Sequence, residues 1–150
     1  MRDQKIRIDP IKNGTSLDHL SPGTALEVMK VLGLHDTGIV TLAMHLESKK
    51  FGYKDIIKIE NKELTQDEIN KITLICPHAS ISIIKDFKVA KKFEVKLPKI
   101  IEGSVKCKNP KCITNIEPVK TKFYITHKSP LKLLCHYCER HMKKEDIGLI

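Results

Sequence analysis

Five cysteines occur in this 150-residue chain, and four of them fall into two close pairs. CKNPKC holds Cys107 and Cys112, CHYC holds Cys135 and Cys138, and the fifth, Cys76, stands alone before Pro77. Close pairs of cysteine serve either a disulfide framework or a metal held by thiolates. The opening MRDQKIRIDP scatters charge where a signal peptide would carry an apolar run, which argues against secretion. An odd thiol count also suits a reducing compartment, since a fifth thiol would scramble disulfides elsewhere. A cytoplasmic chain with a metal site is expected.

Zinc fits the spacing. Two intervening residues let one knuckle aim both sulfurs at a common point, and four do so through a wider loop in which Asn109 and Pro110 are turn formers. Four thiolates complete the tetrahedron of one Zn²⁺ per chain and leave no position for water or substrate, so the site reads as structural. An iron centre of rubredoxin type would use the same four ligands. CHYC alone also matches a thioredoxin-type redox pair, but its companion pair argues against that role. His127, His136 and His141 lie close in sequence; with four cysteines available they read as solvated or neighbouring groups.

The net charge of +9 is unevenly spread. Residues 1–98 carry 16 basic and 13 acidic side chains, and residues 99–150 carry 11 and 5. Four thiolates around a divalent ion would take about two charges off the second excess. The basic balance invites an anionic partner without demanding a polyanion. No run of eighteen apolar residues offers a membrane span.

Positioning the cysteines falls to a segment that begins after LPKIIEGSVKC, a linker with Pro98 and Gly103. Two domains follow from it, residues 1–98 and 99–150. Upstream, KIRIDPI (5–11) alternates as a first strand. SPGTALEVMKVLGL predicts a helix with Ser21 as N-cap, Pro22 at its first position and Gly33 as its end. IVTLAMHLES alternates Val40, Leu42, Met44 and Leu46 on one face, and KDIIKIE (54–60) supplies the next strand, joined to it by a hairpin. TQDEINKITLI predicts a second helix with Ile69, Ile72 and Ile75 inward, opened by a capping box of Thr65 and Glu68. ASISIIKD returns to strand, and a fifth strand could run through Val95. The order strand, helix, strand, strand, helix, strand predicts an α+β chain. Its first part would be a ferredoxin-like βαββαβ domain with an antiparallel sheet and two helices. Its second would be a small four-cysteine zinc-binding β domain, rubredoxin-like.

Chemistry in the first domain is sparse. No Gly-rich phosphate loop, nucleophile elbow or His-Glu-x-x-His run is present, so the residues point to a binding or assembly protein rather than an enzyme. GTSLDHL could set Asp18 and His19 beside a pocket after the first strand, or form a turn with Asp18 capping local amides. Lys58, Lys91 and Lys92 on strand-like segments suit a solvated face as well as a ligand.

Taken in order, IKNGTSLDHL, KDIIKIEN, CPHASISIIKDFKVAKK, CKNPKC, ITNIEPV and CHYCE resemble the regulatory chains of aspartate carbamoyltransferase over nearly the whole length. The resemblance implies a non-catalytic subunit in pyrimidine biosynthesis. Its N-terminal allosteric domain would bind nucleotide effectors such as CTP and ATP and pair with a second regulatory chain. Its zinc domain would dock on the catalytic chain, three regulatory dimers tying two catalytic trimers together. By the same resemblance Asp9 and Ile11 would meet the nucleotide base, Asp18 and His19 the ribose and phosphate, Lys58 would reach the nucleotide from its strand, and Lys92 would meet the phosphates. Ser82, Phe87 and Val89 would complete that site, with Ser82 where asparagine is frequent and Phe87 where tyrosine is. Asn109, Glu139 and Arg140 would face the catalytic chain, beside Lys111 in place of an asparagine. The alternative from the residues alone is a basic zinc-containing RNA-binding protein. Against it, IVTLAMHL and DIIKIE carry no aromatic ring on which a base could stack.

Overall fold

The computed structural model describes residues 9–34, 38–49 and 52–150. KIRIDPI, expected as the opening strand, lies mostly outside them, and its described end, residues 9–11, is not strand. Among the described residues the first strand is β1 (Gly14–Leu20), GTSLDHL. Its glycine, serine and aspartate resemble turn chemistry, but Thr15, Leu17 and Leu20 are buried while Ser16 and Asp18 stand half-exposed. Pairing on both edges outweighs the weak strand preference of those residues. Gly14 opens it with φ 147°, and a Cβ there would collide with the Ile59 carbonyl.

Helix α1 (Ala25–Leu32) buries Ala25, Val28 and Leu32 and ends at Gly33, whose φ of 60° lets its amide and the next reach back to Lys30 and Met29 carbonyls. Its start differs from expectation. Thr24, not Ser21, occupies the N-cap position and makes no side-chain cap. The amides at its start are met from a strand: Asp55 Oδ2 accepts from the Gly23 and Ala25 N–H groups at 2.8 and 3.1 Å.

Asp55 lies on β3 (Gly52–Glu60), which pairs antiparallel with β2 (Val40–Ser48) as the expected hairpin. The alternation read in β2 is interrupted. A bulge between Ala43 and Leu46 puts His45 at φ 60° and leaves Met44 exposed. Helix α2 (Gln66–Ile75) is followed by β4 (Ser80–Lys85) and β5 (Lys88–Glu94). Strand order is β2-β3-β1-β4-β5, every neighbour antiparallel: the ferredoxin-like arrangement with β5 added outside β4. One face packs Leu17, Ile57, Ile59 and Ile81, all buried. Period-two alternation sends Ser16, Asp18, Ile56, Lys58 and Ser82 to the other face.

The remaining chain forms a four-stranded antiparallel sheet in the order β10-β9-β8-β6 from β6 (Ile100–Glu102), β8 (Lys122–Lys128), β9 (Leu131–Cys135) and β10 (His141–Lys143). A two-stranded ladder, β7 (Val105–Lys106) with β11 (Gly148–Leu149), and the single turn α3 (Ile113–Ile116) complete it. Its core is Ile101, Val105, Phe123, Leu133 and Met142 with three of the thiols. Contacts divide the chain into two compact units. The first runs to Thr65 and resumes over His78–Val95; the second takes Gln66–Pro77 with Lys96–Ile150. Helix α2 therefore packs with the second unit, Leu74 entering its core and Asp67 accepting a 2.6 Å hydrogen bond from Ser104. Among the described residues no helix is long and apolar enough to cross a membrane.

Candidate functional site

The two knuckles converge. The sulfurs of Cys107, Cys112, Cys135 and Cys138 all lie within 4.8 Å of one another, with Cys107–Cys138 at 3.7 Å and Cys112–Cys135 at 3.8 Å. A metal–sulfur bond of about 2.3 Å in a regular tetrahedron demands sulfur edges of about 3.8 Å, so the set fits a tetrathiolate ion. The first knuckle is built by its own turn residues: Asn109 Oδ1 accepts from the Lys111 N–H, and the Cys112 N–H donates to the Asn109 carbonyl. Asn115, which sequence reasoning missed, locks the loop by donating to the Cys107 and Asn109 carbonyls at 2.9 and 2.7 Å. Thr114 Oγ1 donates to Cys112 Sγ at 3.2 Å. In the second knuckle Glu139 takes φ 58° and its N–H returns to the Cys135 carbonyl.

Burial pushes the Cys107 thiol up to about 12 and raises Cys135 as well. Burial opposes ionisation at Cys138 too, but the Arg140 amide and the Asn109 side chain outweigh it and bring that thiol down to about 7. Four sulfurs this close disfavour joint ionisation unless a cation sits among them. His127, His136 and His141 are not part of the cluster; His136 Nδ1 pairs with the Tyr124 hydroxyl at 2.7 Å.

Beside the knuckles a cavity of about 270 Å³ is lined by Asn109 and Arg140, with Lys108 and Pro110 among its walls. Glu139 is exposed and does not line it.

A second cavity, about 360 Å³, opens on the polar face of the first sheet. Ile11, Asp18, Lys58, Ser82, Phe87 and Val89 are brought together there, with Ser16 between them. Register explains the grouping. Ser16 lies opposite Lys58 on one side and Ser82 on the other, and Ser82 lies opposite Lys92, so Lys58, Ser16, Ser82 and Lys92 form one row across four strands. Lys92 stands at the exposed end of that row and does not line the cavity; nor do Asp9 and His19. His19 takes φ 56°, its N–H donates to Asp18 Oδ1 at 2.6 Å, and its ring nitrogen Nδ1 meets Ser80 Oγ at 3.3 Å.

Lys54, also missed from sequence, pairs with Asp18 at 3.0 Å. Its place four residues before Lys58 on the same strand was the available signal, since that spacing returns a side chain to the same face. Burial would raise the Asp18 carboxyl, but hydrogen bonds from Lys54 and the His19 amide hold it below its ordinary value. Its stabilising share is therefore present above the ordinary aspartate range and is lost as pH falls through the lowered value.

Comparison with known proteins decides the family. Residues 6–96 match the family model described as aspartate carbamoyltransferase regulatory chain, allosteric domain, and residues 99–148 match that of the regulatory chain's metal binding domain. The chain belongs to the aspartate carbamoyltransferase regulatory chains. A relative of that name from Pyrococcus horikoshii is 50% identical over 146 residues, covering 95% of this chain and 96% of its own. One from Methanococcus maripaludis is 52% identical over 136 residues, 91% and 92% of the two chains. One from Thermoplasma acidophilum is 47% identical over 148, covering 97% and 98%. This chain is thus a non-catalytic regulatory subunit with an allosteric and a metal-binding domain, and its partner is a catalytic chain.

Proposed function

We propose that residues 1–98 form the effector-binding and dimerising domain of this regulatory chain and residues 99–150 the module that docks on the catalytic chain. CTP and ATP are the effectors in this reading. They occupy the sheet cavity, with the base toward Asp9 and Ile11 and the ribose and phosphates toward Asp18, His19, Lys58 and Lys92. The single observation that carries it is the row Lys58, Ser16, Ser82, Lys92. A polyphosphate bound without a glycine loop needs cationic side chains to offset its charge, and hydroxyls between two lysines add donors for its oxygens. Ser82 and Phe87 suit a ligand held by charge and apolar contact more than by amide readout. The RNA alternative is less well served, since Ser16, Asp18, Ile56 and Lys58 offer no stacking surface on β1 and β3.

Zn²⁺ held by Cys107, Cys112, Cys135 and Cys138 supplies folding energy to the docking module. A domain of about 50 residues has too little core to stand without such a staple. Arg140 and Asn109 at the small cavity offer a carboxylate of the catalytic chain a charged and a neutral donor, and exposed Glu139 is the third residue assigned to that face. Two catalytic trimers would then be joined by three regulatory dimers in the cytoplasm. A nucleotide shifts the balance of their quaternary states only by its difference in affinity for each.

The test is size-exclusion chromatography with light scattering of the zinc-loaded chain mixed with the catalytic subunit from the same source. A large complex that a thiol-reactive mercurial dissociates is the expected result. Failure to form any complex at any metal loading would overturn the docking assignment.

A further inference from the structure

A cavity of about 710 Å³ in the second unit backs onto the first knuckle, with Cys107, Thr114 and Asn115 in its wall, and it gathers Lys106, Lys108 and Lys120 around an apolar floor that includes Val119 and Pro110. Local structure holds the lysines there. Lys106 and Lys108 flank Cys107 at the end of β7 and stay exposed while the thiol between them is buried. Lys120 lies with its stem across Gly103: a Cβ at that glycine would come within 2.9 Å of Lys120 Cε. Gly103 holds φ 72°, and its N–H bonds the Thr121 carbonyl at 2.9 Å, which keeps the β6–β7 turn against the segment bearing Lys120.

These ammonium groups are not all spoken for. Lys108 pairs with Asp146 at 2.9 Å. Among the described residues, Lys106 and Lys120 make no ion pair. Thr121, another wall residue, is 5% exposed, and its hydroxyl is buried without a hydrogen-bond partner. Buried polar groups nearly always find partners, and a threonine hydroxyl can donate to an anionic oxygen.

Balancing the net −2 of four thiolates around a divalent ion is a rival role for the two lysines next to Cys107. It does not call for Lys120 or for an unpartnered hydroxyl. We propose that this cavity is an anion site, separate from the sheet pocket, that takes a small phosphorylated ligand. Lys106 and Lys120 supply the charge, Thr121 an oxygen donor, and the apolar floor receives the ligand's organic part.

The experiment titrates inorganic pyrophosphate into the full, metal-loaded chain and follows backbone amide resonances by NMR. Saturable shifts at Gly103 and Thr121 are expected, undiminished in a Lys58→Ala/Lys92→Ala chain. Affinity read at those amides should weaken by about tenfold or more in Lys106→Ala/Lys120→Ala. Zinc content and the dispersion of the spectrum report whether that variant is folded; Thr121→Val, which keeps shape and removes the hydroxyl, gives a second reading at full charge. Shifts confined to β1–β5, or an affinity that neither second-unit variant changes, overturn the proposal. So does a Lys106→Ala/Lys120→Ala chain that loses metal where the parent chain shows no shift at Gly103, which would assign the lysines to the thiolates. Any of these outcomes leaves the reading of the sheet pocket untouched.

Discussion

Asp55 and the lysines of β3 do opposite things from neighbouring positions. Lys54 and Lys58 stand half-buried on the polar face, whereas Asp55 is fully buried and accepts three backbone hydrogen bonds, the third from the His45 N–H at 2.9 Å. It thereby caps α1 and fixes the bulge of β2 together. Such bonds to a carboxylate are among the stronger ones, and removing the acceptor leaves three donors unpaired. Asp55→Ala should cost about 3 kcal/mol of unfolding free energy, with Asp55→Asn recovering part of it. Urea denaturation would measure both. A loss below about 0.5 kcal/mol would mean that water reaches those amides once the carboxylate is gone. The sequence had marked Ser21 as the cap, because capping rules consider residues adjacent in the chain. An acceptor thirty residues further along is invisible to them.

Helix α2 shows the same limit at the scale of an element. Its existence was legible from Ile69, Ile72 and Ile75 and the break at Cys76-Pro77, and the helix spans Gln66–Ile75. Its company was not, because an amphipathic stripe states that a face is buried without naming what covers it. Leu74, off the isoleucine stripe, enters the metal unit's core, and Asp67 bonds Ser104 while pairing with Lys71 at 3.3 Å. Stripping the metal with a mercurial should therefore accelerate amide exchange in residues 66–75 along with residues 99–150, while β1–β5 keep their protection. Hydrogen-exchange mass spectrometry resolves the three regions. Unchanged protection in α2 would mean that its fold does not depend on the thiolate-centred core. Strand β1 was missed for a different reason: its residues favour turns, and only ladders on both edges make it a strand.

For the molecule as a whole, the effector reading has a thermodynamic consequence. A ligand that binds only the folded chain at about one hundred times its dissociation constant stabilises it by about 2.7 kcal/mol. Calorimetry with CTP or ATP should show an upward shift of the transition that includes the first unit. Lys58→Ala should reduce that shift, since the residue stands at the end of the polar row that lines the cavity and its loss removes one cation from the proposed site. An equal shift in the variant would move the nucleotide away from β3.

The four-cysteine centre was determined by sequence alone, because thiolate chemistry and knuckle spacing are local: CKNPKC and CHYC carry both the ligands and most of the turns that aim them. The ferredoxin-like order was nearly so, since hydrophobic periodicity marks α1, β2, β3, α2 and β4 even though it passes over β1. Tertiary structure alone decided what depends on register and remote contact. It set Lys58, Ser16, Ser82 and Lys92 abreast, paired Lys54 with Asp18, capped α1 from β3, gave α2 to the metal unit and gathered three lysines near a buried threonine hydroxyl that has no hydrogen-bond partner. Those relations join residues tens of positions apart, and no local preference encodes which strands lie side by side or how far one has slid along the next.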